Sequence, residues 1–291
     1  MSTQASINNN KKKLIFCTYS CVYSSIVLNR ILQEDKIEVV AVINSTRILK
    51  PNYGAIKGSI KQIQLSGWRY ATYLFYITDL FSIKQSAFKF RKQSLKSVHT
   101  IAKQHGIPII DTKDINDKKS LDFIRQQQAD FLVAAHFNQL VKPDILYMPK
   151  LQCINIHPSL LPAYKGVDPV FYALLNNEKI VGVSLHKMAE SFDTGEILLQ
   201  AEQSVLPSKN CLFSINCDLF EKGAELATKW ITKDADENLK AVLNSASQKT
   251  KPNDHYDSWP DIEKIDQYKQ SGNKLVCLFK YSLTIFSGYQ K

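Results

Sequence analysis

The sequence predicts an α/β fold with a mostly parallel sheet covered by helices on both faces, and two observations predict it. Short apolar runs rich in β-branched residues alternate with helical patterns, which is typical of parallel sheets covered on both sides. Helical patterns also end at turn residues such as Gly106, directly before the next apolar run.

The predicted elements follow one another in a regular order that opens with a βαβ unit. The predicted strands cover residues 14–17, 38–43, 107–110 and 130–134. The predicted helices cover residues 24–33, 94–105, 118–127 and about 210–231. In such sheets ligands bind outside the carboxyl ends of the strands, so polar residues at those ends are the first candidates for a functional site.

Length and composition fit a folded protein with a large core. The chain has 291 residues, 44% of them hydrophobic and 22% charged, which argues against disorder over most of its length. The predicted organisation is a flexible tail, a main α/β domain with an insertion, and a short, mainly helical C-terminal appendage. These parts cover residues 1–12, 13–206 (with the insertion at about 48–93) and 207–291.

Charge and cysteine usage narrow the classes of partner. The net charge of +10 favours acidic partners such as nucleotide phosphates, tRNA or an anionic membrane surface, with a solvated basic face as the alternative. The six cysteines contain no C-x-x-C pair, and no histidine cluster has zinc-ligand spacing, so no metal site is predicted. Cys17 and Cys153 lie in apolar runs and predict a reducing cytoplasm. Residues 14–17 are too short an apolar run for a signal peptide.

The insertion has the most unusual composition of the chain. Its aromatic run over residues 68–81 is too short for a membrane-spanning helix and contains Asp79. Basic residues follow the aromatic run, so the segment 65–92 could lie on the inner face of an anionic membrane or bind a large partner molecule. The alternative is a helical insertion packed on the protein's own surface or on a second copy in a homo-oligomer.

A polar pair directly follows a predicted strand. Asn155 and His157 lie two residues apart after the apolar Cys153 and Ile154, so on a strand both side chains point to one face. Pro158 and the nearby Pro162 restrict the loop that follows. A carboxylate beside the pair could orient the imidazole and stabilise its charged form, although a structural Asn-x-His pair is the alternative interpretation.

Longer motifs resolve this choice through a family resemblance. The run Asn-Ile-His-Pro-Ser-Leu-Leu-Pro at 155–162, the run Gly-Val-Ser-Leu-His at 182–186 and Asp193-Thr194-Gly195 resemble the folate-dependent formyltransferases. This family includes glycinamide ribonucleotide, methionyl-tRNA and amino-sugar enzymes. Residues 129–135 and 140–143 resemble the strand and folate-pocket loop before the family's Asn-x-His strand, and residues 13–47 and 95–205 follow the family's order of elements.

The resemblance implies a Rossmann-like catalytic domain that transfers a formyl group from 10-formyltetrahydrofolate to a primary amine without a metal. The implied catalytic residues are Asn155, His157 and Asp193. The implied folate-binding residues are Phe137, Asn138, Gln139, Leu140, Val141, Ala189, Glu190, Ser191 and Phe192. The candidate acceptor-binding residues are Lys165, Gly166, Asp168 and His186, of which Asp168 is also a candidate helix N-cap and His186 a candidate structural residue. His136 stands where the family often has glycine, and would either reshape the folate pocket or be an ordinary exposed residue.

Two acceptors are compatible with this reaction. An amino sugar, linked to a nucleotide or a lipid, is the first reading, because residues 194–291 contain too few predicted strands for the β-barrel domain of methionyl-tRNA formyltransferases. Methionyl-tRNA is the alternative that the basic charge keeps open. The loop Thr18-Tyr19-Ser20 lacks the glycines of relatives that bind a nucleotide phosphate. A formyltetrahydrofolate hydrolase and a catalytically silent binding protein are the remaining alternatives.

Overall fold

A computed structural model describes residues 11–50, 52–81, 94–206, 210–233 and 255–286. Its main sheet has seven strands in the order β3-β2-β1-β4-β5-β7-β8. The strands that form it are β1 (Lys12–Thr18), β2 (Ile37–Ser45), β3 (Ile109–Thr112), β4 (Phe131–Ala135), β5 (Gln152–His157), β7 (Ile180–Lys187) and β8 (Ile197–Ser204). The first five pair in parallel, whereas β7 and β8 are antiparallel. This mostly parallel, helix-covered sheet confirms the predicted fold class.

The helices of the described residues include every long helix that the sequence predicts. They are α1 (Val22–Leu32), α2 (Ala55–Ile77), α3 (Val98–Gln104), α4 (Lys118–Gln127), α5 (Pro143–Leu146), α6 (Pro169–Leu175), α7 (Leu212–Thr232), α8 (Ile262–Gln270) and α9 (Leu278–Phe286). The helix predicted from residue 94 begins later, at Val98. The reason is local: the Ser97 side chain accepts a hydrogen bond from the Thr100 backbone N–H and caps the helix there.

The aromatic insertion packs on the protein. Tyr70, Tyr73, Ile77 and Phe81 are all buried in the main hydrophobic core. The structure therefore favours the packed helical insertion over membrane contact through this aromatic run, whose continuation over residues 82–93 lies outside the described residues. Helix α2 is interrupted at Gly67, where a φ of 73° breaks the helical geometry.

The C-terminal segment contributes to the same core as the sheet. Helix α7 runs along the sheet, where Gly223 faces Ile156 and the Trp230 side chain donates a hydrogen bond to Gln152. Strand β1 begins at Lys12, one residue before the predicted catalytic domain, and residues 1–10 of the predicted tail lie outside the described residues. In the ranges the structure describes, no helix is both long and apolar enough to cross a membrane.

A second, two-stranded sheet joins β6 (Lys165–Gly166) to β9 (Tyr256–Asp257), which run in parallel. The pairing brings a segment from near the C-terminus against the loop that follows β5. Among the described residues, this short pairing is the only strand contact that Lys165 and Gly166 make with the C-terminal segment. It positions the C-terminal segment beside the predicted site.

Candidate active site

His157 is the last residue of β5 and lies at the carboxyl edge of the parallel part of the sheet. The loop that leaves the strand is held by two hydroxyls. Ser159 Oγ donates a hydrogen bond to the Ala163 carbonyl oxygen, and Ser184 Oγ donates to the Ser159 carbonyl oxygen and accepts from the Leu161 backbone N–H. The loop is therefore fixed by buried hydrogen bonds in addition to its prolines.

Asp193 is brought to His157 by the loop between β7 and β8. One carboxylate oxygen lies 3.5 Å from His157 Nδ1, and the other accepts a hydrogen bond of 3.0 Å from the Gly166 backbone N–H. The two side chains are only 6% and 8% exposed. Asp193 has a φ of 55°, in the left-handed region that aspartate tolerates better than most residues. The structure thus brings together the imidazole and the carboxylate that the sequence analysis singled out.

The two ring nitrogens of His157 face different partners. Nε2 lies 3.0 Å from the Tyr164 carbonyl oxygen, and since a carbonyl can only accept, Nε2 carries a hydrogen. Nδ1 then faces the Asp193 carboxylate. A proton on Nδ1 would be stabilised by that carboxylate, so the pair can hold an imidazolium and pass a proton between ring and carboxylate.

His186 orients Asn155. The two residues pair directly across β5 and β7, and His186 Nδ1 donates to the Lys187 carbonyl oxygen at 2.8 Å. Nε2 is therefore an acceptor in the neutral ring, and it receives a hydrogen bond of 3.0 Å from the Asn155 amide nitrogen. Of the two hydrogens on that nitrogen, one is used by His186 and the other remains for a ligand. The same Nε2 lies 3.8 Å from an Asp193 carboxylate oxygen, so the His186 ring lies beside both Asn155 and Asp193.

Burial keeps His186 neutral. Burial, reinforced by the neighbouring His157, lowers the pKa of His186 from an ordinary value of 6.5 to about 4. Because the unfolded chain binds the proton more readily, the unfolded state takes up more protons between these values, and stability falls as the pH falls from 6.5 to 4. The full loss attributable to this group is roughly 3 kcal/mol.

Replacing this histidine should flatten the acid limb of the stability profile. We expect His186→Gln to lower the free energy of unfolding at pH 7, since the Asn155 pairing is disturbed, but to lose part of the decline between pH 6.5 and 4. Urea unfolding at both pH values measures this difference. His105→Gln, which removes an exposed histidine, should keep the full decline. An unchanged decline in the His186 variant would show that this ring does not control acid stability.

Strands β6 and β9 lie next to Asp193, whose carboxylate accepts from the Gly166 N–H. Gly166 has a φ of 111°, and a Cβ there would overlap the backbone of Asp257; only glycine allows the chains to approach this closely. The ring of Tyr256 lies 6.1 Å from that of Phe192, and both rings are substantially exposed. Tyr256 and Asp257 were missed in the sequence analysis because they are distant in the chain and a two-residue strand has no detectable pattern.

The loop before Asp193 presents its residues to solvent. Glu190, Ser191 and Phe192 are exposed and Ala189 is half-buried. Gly195 closes the turn, because a Cβ there would overlap the Lys187 carbonyl oxygen. The residues of this loop are therefore accessible next to the His157–Asp193 pair, and their role in a folate pocket stays a prediction.

The segment 137–141 has a more mixed placement. Gln139 is 1% exposed, and its amide bonds the Ile115 N–H, Ser45 Oγ and the Thr112 carbonyl, so the side chain ties strand ends together. Val141 is buried in the second hydrophobic cluster. The remaining three positions, Phe137, Asn138 and Leu140, are half-buried or exposed. Ligand contact from this segment therefore depends on those three residues and on backbone atoms.

A buried polar cluster next to the site was not anticipated from the sequence. His136 Nδ1 lies 3.4 Å from the Cys21 sulfur, at the N-terminus of α1. Asp168 occupies the N-cap position of α6 but makes no side-chain cap; its carboxylate instead accepts a hydrogen bond of 2.7 Å from the Tyr70 hydroxyl. His136 is half-buried, so the interpretation of an ordinary exposed residue is wrong.

The cluster is electrostatically coupled. Burial by itself would raise the pKa of the Cys21 thiol, but the charge and hydrogen bond of His136, together with the hydrogen bonds of Ser24, outweigh it and lower that pKa. The pKa of His136 is raised because Cys21 and the Tyr19 carbonyl offset its burial. Burial raises the pKa of the Asp168 carboxyl. Cys21 at the start of α1, His136 just after β4 and Asp168 at the start of α6 therefore form one electrostatically coupled group beside the candidate site.

Comparison with known proteins identifies the family. The family model described as formyl transferase matches residues 60–230, which is more than half of the chain. The chain belongs to the formyl transferase family. The match contains the whole arrangement of Asn155, His157, His186 and Asp193, so the formyl transferase motifs and the geometry at the sheet edge coincide.

Individual relatives of this formyl transferase domain cover it only in part. The chain is 39% identical over 117 residues to the methionyl-tRNA formyltransferase of Thermotoga maritima, covering 40% of this chain and 37% of that protein. It is 39% identical over 134 residues to the corresponding protein of Synechococcus sp., covering 46% of this chain and 41% of that protein. The matches therefore span less than half the length of these relatives.

One solved structure shares the fold of this formyl transferase. The phosphoribosylglycinamide formyltransferase from Bacillus halodurans aligns with a TM-score of 0.50 at 22% identity, covering 77% of this chain and 96% of that one. Among the described residues, no group of three or more histidine, cysteine or acidic side chains could hold a metal ion.

Proposed function

We propose that this protein transfers a formyl group from 10-formyltetrahydrofolate to a primary amine. The observation that carries the proposal is the buried His157–Asp193 pair beside an Asn155 amide whose orientation is fixed by His186. Such an amide supplies a donor for the negative charge that develops on a carbonyl oxygen under attack, and a positively charged imidazole beside it stabilises the same charge. One donor of this kind contributes on the order of 3 kcal/mol to the transition state.

The donor supplies an electrophilic formyl carbon, and the chain's own residues handle charge and protons around it. Asn155 donates its free N–H to the formyl oxygen. His157, held by the Tyr164 carbonyl and Asp193, stabilises the same charge through the positive ring. The proton that leaves the attacking amine passes to Asp193, directly or through a water, and from there to the leaving nitrogen. A C–N bond to the acceptor replaces the C–N bond to the folate, and no covalent enzyme intermediate is needed.

The residues present fit a folate at the loop before Asp193. Glu190, Ser191 and Phe192 are exposed there and Ala189 is half-buried, so a ligand can reach this loop. Phe137, Asn138 and Leu140 supply side chains of the opposite segment, whereas Gln139 and Val141 support them from within the protein. Lys165 and Gly166 line the acceptor side, and the Asp168 carboxylate and its partners stand behind that loop.

We propose methionyl-tRNA as the first candidate acceptor and an amino sugar as the second, the reverse of the order predicted from sequence. The curated relatives, each named as a methionyl-tRNA formyltransferase, support the first. The exposed Phe192–Tyr256 pair beside Asp193 supports either acceptor, because aromatic faces stack on bases and pack against sugar rings. The two remaining alternatives need a different site. A formyltetrahydrofolate hydrolase requires a site that binds no amine, and a silent binding protein requires a site that does not catalyse formyl transfer.

One assay tests the reaction and the acceptor together. We expect the purified protein, given 10-formyltetrahydrofolate with either methionyl-tRNA or a nucleotide-linked amino sugar, to release tetrahydrofolate only with an acceptor and to add a formyl mass to it. Formylation of the sugar alone would reverse the order of acceptors. Release of tetrahydrofolate without any formylated product would replace the proposal with hydrolysis, and the absence of release with every amine would contradict it.

A further inference from the structure

The first half of α2, residues 55–66, buries polar or small residues and exposes large apolar ones. Ile56, Ile60 and Ile63 are 79%, 52% and 46% exposed. The opposite side of the helix turns Gly58, Gln62 and Ser66 inward; Gly58 packs against Ile48, and Gln62 donates a hydrogen bond to Ser66. A helix that faces only water and its own protein would have the reverse arrangement.

The three isoleucines form one continuous face, here called the isoleucine face. They are spaced at i, i+4 and i+7 along α2, which places them on a single side of a helix. Scattered exposed apolar residues are ordinary in soluble proteins, but a face with helical spacing indicates a binding surface. The face is distinct from the aromatic second half of α2, whose large side chains are mainly turned into the core.

Charge indicates the partner. From residue 39 to residue 78 the sequence contains no aspartate or glutamate, while its basic residues are Arg47, Lys50, Lys57, Lys61 and Arg69. Two of these have acidic partners elsewhere, since Arg47 pairs with Asp114 and Arg69 with Asp266. Lys57 and Lys61 are exposed and lie in the same two helical turns as the isoleucine face. The partner must therefore be both anionic and able to bury aliphatic side chains.

We propose that the isoleucine face of α2 binds the surface of an anionic lipid bilayer. A helix with an apolar face and flanking lysines lies in the plane of the membrane interface, with its apolar side chains at the acyl boundary and its lysines extended to the headgroups. The two other anionic or apolar partners fit less well. Nucleic acid offers phosphates and base faces but no aliphatic surface for three isoleucines. A second copy of the chain would bring lysines together, and lysine is depleted from protein interfaces.

Vesicle binding tests the proposal in the full chain. We expect co-sedimentation with vesicles that mix phosphatidylglycerol and phosphatidylcholine, and much weaker binding to pure phosphatidylcholine. Replacing Ile56, Ile60 and Ile63 together by serine should weaken binding at least roughly 100-fold. Replacing Lys57 and Lys61 by glutamine should weaken it roughly 30-fold at low salt and less at high salt.

The matched control is Ile180→Ser, which removes an isoleucine of similar exposure from the start of β7; it should bind vesicles like the parent chain. All variants should keep the thermal midpoint of the parent chain, and their rate of formyl transfer to a soluble acceptor should stay within about twofold of the parent rate. The reason is that the isoleucine face is solvent-exposed and separate from the catalytic residues. Vesicle binding that survives the triple serine change would overturn the proposal. So would a triple variant that instead dissociates a dimer in sedimentation velocity, or that loses tRNA binding while the parent ignores vesicles.

Discussion

Replacement of His157 by alanine should abolish formyl transfer while leaving folate affinity within a few fold. The ring makes the only described contact between the Asp193 carboxylate and the end of β5, and it donates to the Tyr164 carbonyl oxygen. Its removal takes away the positive ring that stabilises the developing negative charge, so turnover should fall by roughly 10³-fold or more. Steady-state kinetics with a titration of the folate measures both effects.

A control and a contrary outcome separate catalysis from folding. His99→Ala removes an exposed histidine that pairs with Asp111, far along the chain from the site, and should leave turnover unchanged. If His157→Ala kept the parent turnover, His157 would have no part in the mechanism. If it lost folate binding and turnover together, the ring would be a structural element of the pocket.

Replacement of Asp193 by asparagine should lower turnover by roughly 10³-fold with little change in overall fold. The asparagine carbonyl can still accept from the Gly166 N–H, as one carboxylate oxygen does now. Its NH2 group would then face His157 Nδ1, which has to act as an acceptor, so the ring could no longer be held as a cation. The change removes the charge while it preserves the shape of the turn.

Kinetics across pH, combined with near-UV circular dichroism, test this second prediction. Glu196→Gln is the matched carboxylate control, because Glu196 lies three residues further along and pairs with the exposed Lys187; its turnover should stay within about twofold of the parent. If Asp193→Asn kept a near-parent turnover, another group would have to carry out the proton transfer. Loss of the near-UV signal would instead assign Asp193 a folding role through the Gly166 contact.

Much of the fold follows from local pattern. Apolar, β-branched runs predicted the parallel strands, and helix α4 has the predicted bounds because Asp117 caps its start, its side chain accepting from the Ser120 N–H. Where the capping residue lies inside the predicted range, the helix begins later than predicted, as at Ser97, which caps α3. These features depend on residues within a few positions of one another.

The aromatic insertion shows what composition alone leaves open. The run from residue 68 to residue 81 has the composition of either a membrane-surface or a core segment. The structure buries Tyr70, Tyr73 and Phe81 in the core. The first half of α2 contains a less conspicuous apolar group that is exposed, formed by Ile56, Ile60 and Ile63. Which face of a helix is covered depends on what packs against it, and that information is not local.

The sequence by itself determined the parallel sheet, the position of Asn155 and His157 at its carboxyl edge, and, through family motifs, the candidate carboxylate Asp193. Only the tertiary structure decided that His186 orients Asn155, that β9 pairs with Lys165 and Gly166 beside Asp193, and that Cys21 meets His136 beside Asp168. The physical reason is range. Strand and helix signals arise from neighbouring residues, whereas hydrogen-bond partners, tautomers and charge pairs depend on distances between segments far apart in the chain.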